Sequence, residues 1–316
     1  MAEVDAGPPP VSVIIPAYGV ASYLGEALAS LVAQDWSDFE AIVVDDGQTV
    51  EVAQAFAPFA TERRFRLLQT DNRGVATARN RGIAASRGRY VSFLDGDDRY
   101  LPSYLMAMIH RIESDSRLGF VSCDAVYFGG REPKGACYSQ RYCIAGPHTL
   151  ARVLARDTHV FTAVIARREA LIQVGGFDDM LAAAEDLDLW IRLLAAGWSA
   201  AVLEQPLVQY RRRAGSLSSD QRRLLASSES LYRKQVAKLA GRPEQAIAKR
   251  MLRSCRRQLR RLDLEAAMRR GWVYDRLASL NKYERGFFPL VRLALARSAA
   301  GAARILLRCR GLLLQI

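Results

Sequence analysis

Two groups of aspartates in the first third of the chain each follow a hydrophobic segment. Asp45-Asp46 come directly after the apolar run 39–44, and Asp95-Gly96-Asp97-Asp98 follows the run 89–94. Several carboxylates at one edge of a sheet repel one another unless a cation joins them. Mg²⁺ and Mn²⁺ take one or two carboxylates together with substrate phosphates. These residue types therefore indicate binding of a nucleotide diphosphate together with a divalent metal.

A third acidic group, Glu185–Asp188, begins a segment whose apolar residues recur on one helical face. Carboxylates at a helix N-terminus oppose the macrodipole, so this group alone is also typical of an ordinary helix start. Each Asp-Gly pair alone is likewise typical of a solvated turn. Two such groups at neighbouring strand ends are less typical of turns, and this favours a binding site.

Strands and helices alternate in the segment that must position these acids. We predict strands over 11–16, 39–44, 65–68 and 89–94, and helices over 21–33, 50–60 and 74–85. Further along we predict helices over 103–113, 168–173 and 184–196, strands over 119–128 and 160–167, an extended segment over 198–210 and a loop over 129–147. Such alternation indicates βαβ units around a mainly parallel sheet, in which ligands bind at the carboxyl ends of the strands.

The distribution of charge divides the chain into two parts. From Arg211 to the end there are 26 Lys and Arg against 7 Asp and Glu, whereas the preceding residues have 19 against 26. Such asymmetry usually means that the two parts meet different partners. We predict a flexible leader over 1–10, an α/β domain over 11–218 and a basic, all-α region over 219–316.

Features near the two termini bear on location in the cell. The first five residues lack a basic region followed by an apolar run, so we predict no signal peptide. No window of about 18 uninterrupted apolar residues predicts a spanning helix. The five cysteines contain no Cys-x-x-Cys pair, which fits a reducing compartment. We expect a cytoplasmic protein that attaches peripherally to the inner face of the cell membrane.

The expected attachment depends on the last part of the basic region. The segment 289–316 mixes arginines with Leu-rich stretches, as helices at an anionic membrane surface do. A helical bundle packed on the α/β domain is the alternative. Aromatic residues are sparse in this region, so nucleic acid is an unlikely partner.

Six short segments, in order along residues 11–218, carry a resemblance to a known family. They are Val11–Tyr18, Ile42–Gly47, Asn72–Gly74 with Ala78–Asn80, Phe93–Asp98, Val174–Asp178 and Glu185–Trp190. In this order they resemble the family 2 glycosyltransferases, which have the GT-A fold, a Rossmann-like sheet flanked by helices. The resemblance implies an inverting enzyme of the hexosyltransferase type in bacterial polysaccharide or glycoconjugate synthesis. Its donor would be a nucleotide diphosphate sugar, and its acceptor a hydroxyl of a saccharide or of a lipid-linked molecule.

The same resemblance implies roles for individual residues. Asp186 would be the general base, while Asp95 and Asp97 would hold the ribose and a divalent metal, Mn²⁺ or Mg²⁺. The residues implied in binding the donor are Pro16, Tyr18, Asp45, Asp46, Arg79, Asp95 and Arg213. Those implied in contacting the acceptor or supporting the site are Gly176, Glu185 and Trp190.

The chain departs from the family pattern at two positions. Gln48 stands where such enzymes usually have Ser, and Arg213 stands where many have His. Arg does not ligate a metal, but it can hold a phosphate with two parallel hydrogen bonds. We therefore expect donor binding to depend more on Arg213 and less on metal ligation than in relatives with His.

Two other functions remain open at the level of sequence. A nucleotidyltransferase also has acidic metal sites on an α/β sheet, but it would normally have a Gly-rich, basic phosphate loop near the first strand. The segment Pro16–Val20 is not such a loop. A nucleotide-sugar-binding protein without transfer activity is the other alternative, and the intact acids argue against it.

Overall fold

The computed structural model describes residues 9–130, 133, 135–213 and 220–269. The chain divides into two compact units, the first ending at Arg253 and the second beginning at Ser254. Most of the predicted leader over 1–10 and the predicted interfacial segment 289–316 lie outside the described residues.

A mixed sheet of eight strands forms the centre of the first unit, counted over the described residues. The strands are β1 Val11–Ala17, β2 Phe39–Asp46, β3 Phe65–Thr70, β4 Tyr90–Phe93, β5 Arg99–Tyr100, β6 Leu118–Phe128, β7 Val164–Arg167 and β8 Ser199–Arg211. Their spatial order is β3-β2-β1-β4-β7-β6-β8-β5. The first four in this order are parallel, β7 is antiparallel to both of its neighbours, and β6 pairs with β8 in parallel.

Helices cover the sheet and continue beyond it. The helices of the described residues are α1 Ala21–Val32, α2 Thr49–Phe56, α3 Val75–Ala85, α4 Tyr104–Glu113, α5 Leu150–Ala155, α6 Arg168–Gln173, α7 Glu185–Ala195, α8 Gln221–Lys238 and α9 Glu244–Arg269. The predicted α/β class, with a mainly parallel sheet and a helical region after it, is confirmed. In the part of the chain that is described, no helix is both long and apolar enough to cross a membrane.

The hydrophobic runs explain why the parallel strands lie at the centre. Every residue of β1 and of β2 is buried, as expected for strands covered on both faces. Their register places Ala17 opposite Asp45, and β1 pairs with β4 so that Ile14 lies opposite Phe93. The two aspartate groups therefore leave the sheet at the same edge, at the carboxyl ends of β2 and β4.

Three elements were not predicted from the sequence. They include the two-residue strand β5, which pairs with β8, and the six-residue helix α5. The third is a short 3-10 helix, Tyr138–Gln140, within the predicted loop 129–147. The backbone of Cys137, just before it, forms an isolated antiparallel β-bridge with Val126. Asp45 and Asp46 belong to the end of β2 rather than to the turn after it.

Helix α8 packs on the α/β part of the first unit. The Tyr232 hydroxyl donates to the Leu154 carbonyl oxygen at 3.1 Å, and both Leu231 and Tyr232 are fully buried. Lys234 on the same helix forms an ion pair with Asp178. The basic region therefore begins with a helix that is part of the first unit, although the predicted boundary at 218 itself stays a prediction.

Candidate active site

Asp45, at the end of β2, has a buried carboxylate with one unused oxygen. Its Oδ1 accepts a hydrogen bond from the Gln48 backbone N–H at 2.7 Å, while its Oδ2 is buried and has no hydrogen-bond partner among the described residues. Gln48 also accepts a hydrogen bond from the Gly19 backbone N–H through its side-chain oxygen. A buried acceptor without a donor costs free energy unless a ligand supplies that donor. The geometry thus suits a ligand with an N–H group aimed at Asp45.

The next residue, Asp46, holds the loop that precedes α3. Its Oδ1 accepts from the Arg73 N–H and its Oδ2 from the Gly74 N–H, both at 2.9 Å. The side chain is almost fully buried. Asp46 therefore fixes the backbone of the Asn72–Gly74 segment beside Asp45, and the predicted contact between Asp46 and a donor stays a prediction.

Three arginines donate hydrogen bonds to the aspartates of the acidic segment after β4. Asp95 accepts from the Arg79 Nη2 at 2.6 Å, and Asp97 accepts from the Arg213 Nε at 2.6 Å. Asp98 accepts from the backbone N–H of Arg211 at 2.8 Å. Burial, and then the neighbouring Asp95, raises the pKa of both Asp97 and Asp98. The segment therefore attracts positive charge, from side chains or from a bound cation.

Arg79, on α3, joins two of the predicted site segments. One terminal nitrogen bonds Asp95, and the other donates to the Glu185 Oε1 at 2.7 Å. Only 4% of Arg79 is exposed, and its Nε has no hydrogen-bond partner in the described part of the chain. Burial lowers the pKa of the guanidinium, but the charges of Asp95 and Glu185 outweigh burial and hold that pKa above its usual value. Arg79 is thus a buried link between the end of β4 and the start of α7.

The start of α7 presents two carboxylates in different environments. Glu185 is buried against Arg79, and burial raises its pKa. Asp186 is partly exposed, and its Oδ1 accepts from the Leu187 backbone N–H at 2.7 Å. The preceding Ala184 has a left-handed conformation with φ 58°. Such backbone strain in a non-glycine residue is often found at functional sites.

Asp188, the third acid of α7, is fixed in the interior. Its Oδ2 accepts from the Arg192 Nε at 2.5 Å, and its Oδ1 accepts from the Gln235 side chain at 3.1 Å. Arg192 also donates to the carbonyl oxygens of Val174 and Gly176, at 2.7 and 2.6 Å. Asp188 and Arg192 therefore tie the segment 174–178 to α7. This bond follows an i, i+4 spacing that is visible in the sequence.

The same 174–178 segment is held from the other side by Asn80. Its Oδ1 accepts from the Phe177 N–H at 2.8 Å, and its Nδ2 donates to the Phe177 carbonyl oxygen at 2.9 Å. The Phe177 ring meets Phe93 edge to face, with 5.2 Å between the ring centroids. Segments that lie far apart in the sequence thus form one bonded unit next to Asp95 and Asp186.

The remaining predicted residues take different positions. Pro16 is buried within β1 and pairs with Val44, and Tyr18 is 56% exposed beyond the end of that strand. Trp190 is 1% exposed and stacks on Phe120, with 4.9 Å between the ring centroids. The Trp190 side chain is therefore part of the core beneath α7.

The carboxylates of this site are of the type that binds a hard cation, but they are too few to complete its coordination alone. In the described parts of the chain, no group of three or more His, Cys, Asp or Glu side chains is arranged to hold a metal ion. Asp95 and Asp97 provide two carboxylates, and Mg²⁺ sites commonly use one or two with substrate phosphates completing the coordination. A divalent ion here would depend on the phosphates of a bound nucleotide.

Sequence reasoning did not identify three residues that assemble the site. Arg192 and Asn80 hold the 174–178 segment, and Gln48 joins the loops after β1 and β2. Gln48 was noted only as a departure from the family pattern. The i, i+4 spacing of Asp188 and Arg192 was an available signal, whereas the contacts of Asn80 and Gln48 cross long stretches of sequence.

Two family models and several known proteins match this chain. The family model "Glycosyl transferase family 2" matches residues 12–174, and "Glycosyltransferase like family 2" matches residues 139–263. The succinoglycan biosynthesis protein ExoO of Rhizobium meliloti is 31% identical over 221 residues, which are 66% of this chain and 63% of ExoO. The chain spans less than two thirds of the first curated relatives that it matches.

Solved structures share the fold at low sequence identity. S. aureus TarS 1-349 in complex with UDP-GlcNAc has a TM-score of 0.62 and 22% identity, covering 77% of this chain and 70% of the TarS fragment. The mannosyltransferase PcManGT of Pyrobaculum calidifontis, in complex with GDP-Man and Mn²⁺, has a TM-score of 0.58 and 20% identity, covering 88% of this chain and 82% of PcManGT.

Proposed function

The chain belongs to glycosyl transferase family 2, and we propose that it transfers a sugar from a nucleotide diphosphate sugar to a hydroxyl acceptor. The observation that carries this proposal is the bonded arrangement of Asp95, Arg79 and Glu185 beside Asp186. It places the acids after β4 and the acids of α7 around one edge of the sheet. The complexes of TarS with UDP-GlcNAc and of PcManGT with GDP-Man support a nucleotide sugar as the donor class.

Asp45 binds the nucleoside base of the donor in this proposal. Its unused Oδ2 is buried at the carboxyl end of β2, where a ring N–H of a base would satisfy it. Asp46 positions the adjacent Asn72–Gly74 segment through two backbone N–H groups. Pro16 in β1 and Tyr18 just beyond its end would contact the donor from the neighbouring strand.

Asp95, Asp97 and Arg213 serve the ribose and the diphosphate. Asp95 and Asp97 would hold Mn²⁺ or Mg²⁺, which stabilises negative charge on the leaving diphosphate. The Arg213 guanidinium lies at Asp97, so its remaining N–H groups are within reach of phosphate oxygens near that carboxylate. The donor would thereby be oriented with its diphosphate next to Arg213.

Asp186 removes the proton from the acceptor hydroxyl. The acceptor oxygen attacks the anomeric carbon, the bond from that carbon to the diphosphate breaks, and the proton passes to Asp186, so the anomeric configuration inverts. Asp186 lies in the first turn of α7 and is partly exposed, so an acceptor hydroxyl can approach it. Glu185 and Asp188 are excluded from this role in the proposal because each is buried against an arginine.

Arg79, Gly176 and Trp190 position the reacting groups. Arg79 fixes Asp95 relative to Glu185, Gly176 lies in the segment bonded to α7 through Arg192, and Trp190 anchors α7 on the core. All residues with a proposed role lie within the proposed catalytic domain over 11–218. The region 219–316 is the proposed helical addition to it.

A donor panel tests the proposed reaction. Purified protein is mixed with nucleotide diphosphate sugars of several bases and sugars, and the products are separated with and without a saccharide acceptor. A glycosyltransferase releases the nucleoside diphosphate. Formation of a nucleoside triphosphate and a sugar 1-phosphate when pyrophosphate is added would indicate a nucleotidyltransferase, and binding without any product would indicate a nucleotide-sugar-binding protein.

The acceptor in this proposal is a saccharide or a lipid-linked molecule in polysaccharide synthesis. The similarity to ExoO, a succinoglycan biosynthesis protein, supports this acceptor class. The proposed attachment to the inner face of the cell membrane depends on the segment 289–316, which lies outside the described residues. Co-sedimentation with anionic liposomes at low and high salt tests it, and absence of binding at low salt would reject it.

A further inference from the structure

The ion pair between Arg213 and Asp97 occupies a carboxylate that the proposed function assigns to a metal. The Arg213 Nε lies 2.6 Å from the Asp97 Oδ2, and the side chains are only 23% and 16% exposed. Among the described acids of the 95–98 segment, Asp97 is the one that pairs with the side chain of Arg213, two residues beyond the end of β8. This contact therefore depends on the residue type at position 213.

The position of Arg213 is fixed by more than one contact. The Arg213 guanidinium lies over the Tyr23 ring, with 5.6 Å to the ring centroid. Two residues earlier, the Arg211 backbone N–H bonds Asp98, and the Arg211 Nε donates to the Asp97 carbonyl oxygen at 2.8 Å. Hydrogen bonds thus hold the end of β8 next to the acidic segment, and this position of the backbone places the Arg213 side chain at Asp97.

A guanidinium and a divalent cation cannot share one carboxylate at such short distances without repelling each other. Both are positive, and their repulsion in a half-buried site is screened much less than in water. In addition, an arginine side chain cannot become a neutral metal ligand as a histidine can. A cation at Asp97 is therefore disfavoured as long as Arg213 stays bonded to this carboxylate.

We propose that Arg213 and a divalent cation are alternative partners of Asp97, so that Arg213 sets how tightly this protein holds its metal. Without nucleotide, Arg213 occupies Asp97 and the metal binds weakly. With both donor and metal bound, Asp97 would hold the metal, and the Arg213 guanidinium would leave Asp97 and bond to the diphosphate. This inference rests on the proposed function for the identity of the site, but its test requires no transfer of sugar.

The test measures binding of Mn²⁺ alone to the full chain, by the electron paramagnetic resonance signal of free Mn²⁺. Arg213→Gln keeps much of the side-chain volume and removes the charge. We expect it to lower the Mn²⁺ dissociation constant by roughly tenfold or more, because one positive charge next to the carboxylate is lost. Arg213→Ala should behave alike, and it replaces Arg213→Gln if that variant does not fold.

Arg212→Gln is the matched control, since it removes the same charge from the adjacent residue, whose guanidinium lies over the Tyr210 ring. We expect its Mn²⁺ affinity to equal that of the wild type. The double variant Asp97→Asn with Arg213→Gln should not show the increase in Mn²⁺ affinity that is expected for Arg213→Gln alone. Unchanged affinity in Arg213→Gln, or an equal gain in Arg212→Gln, would overturn the proposal. Failure of sugar transfer with all donors would instead refute the proposed function and leave the Mn²⁺ result standing.

Discussion

The three acids at the start of α7 differ at the scale of single residues. Glu185 is bonded to Arg79, and Asp188 is bonded to both Arg192 and Gln235. Asp186 accepts a hydrogen bond from the Leu187 backbone N–H and is partly exposed. An acceptor hydroxyl can approach a partly exposed carboxylate more easily than one that is buried and bonded to an arginine. The surroundings of these side chains, rather than their spacing, therefore favour Asp186 as the base.

Asp45 gives the prediction that belongs to the donor side of the site. Asp45→Asn retains the Oδ1 acceptor for the Gln48 N–H but replaces the unpaired Oδ2 with a donor group. If Oδ2 accepts an N–H of the base, the variant should bind the donor more weakly by roughly 10- to 100-fold, the range expected for a hydrogen bond to a charged acceptor. Isothermal titration with the donor from the panel measures this change.

The control for Asp45 lies at the other end of the same strand. Asp38 is exposed just before β2, so Asp38→Asn removes an equal charge away from the site. We expect donor affinity to be unchanged in this variant, and the melting temperatures of both variants to show that they are folded. Equal donor affinity in Asp45→Asn and wild type would exclude Asp45 from base binding.

At the scale of elements, the 174–178 segment has to pass close to α3. Gly176 has φ 67°, and a Cβ at this position would lie 2.4 Å from the Asn80 Oδ1. Gly175 next to it has φ 78°, but a Cβ there would meet no atom within 4 Å. Comparing alanine substitutions at the two glycines therefore separates the free-energy cost of the backbone conformation from the cost of displacing Asn80.

Gly176→Ala should therefore be more harmful than Gly175→Ala. Both variants bear the cost of a left-handed alanine, about 1 kcal/mol or more. Only Gly176→Ala also disturbs the hydrogen bonds between Asn80 and Phe177, so it should unfold at lower urea concentration and transfer sugar more slowly. Equal urea midpoints and rates for the two variants would show that the Asn80 contact is unimportant.

The elements with long hydrophobic runs could be predicted from the sequence, whereas the shortest strand could not. All residues of β1 and β2 are buried, and α7 has one clear apolar face, so their patterns are strong. The two-residue strand β5 has no pattern of its own and forms because β8 lies beside it. Pairing across a distance of more than a hundred residues leaves no local signal.

The candidate site was predictable to a similar degree. Two strand ends placed Asp45 and Asp95 at one edge, as the parallel order of the strands requires. The partner of each side chain was not predictable, because Arg79 meets Glu185 across 106 positions and Arg213 meets Asp97 across 116. Spacing therefore located the acids, and the fold determined which of them are paired.

At the scale of the whole molecule, acid should destabilise the protein through a buried histidine. His148 bonds Ser122 at 3.2 Å and Thr158 at 3.0 Å in the interior. Burial, and then Arg152, lowers the pKa of His148 from 6.5 to about 4. The unfolded chain binds this proton more readily than the folded one, so stability should be retained above pH 6.5 and lost as the pH falls from about 6.5 to about 4.

Urea unfolding at several pH values measures this effect. The pH dependence of the free energy of unfolding should be shallower in His148→Gln, by up to about 1.4 kcal/mol per pH unit for one proton. Gln can still reach Ser122 and Thr158 but does not titrate. His110→Gln, a change at an exposed position on α4, is the control. Parallel curves for the wild type and His148→Gln would contradict the expectation.

The most direct measurement for the proposed transfer reaction compares donor affinity and transfer rate in Asp186→Asn. The variant keeps the shape of the side chain and removes its basicity. We predict donor affinity equal to that of the wild type and a transfer rate lower by roughly 10²–10⁴-fold, the usual effect of losing a general base. Asp188→Asn, which breaks the contacts to Arg192 and Gln235, should instead lower the melting temperature. Transfer at the wild-type rate in Asp186→Asn, with its donor affinity unchanged, would contradict the account.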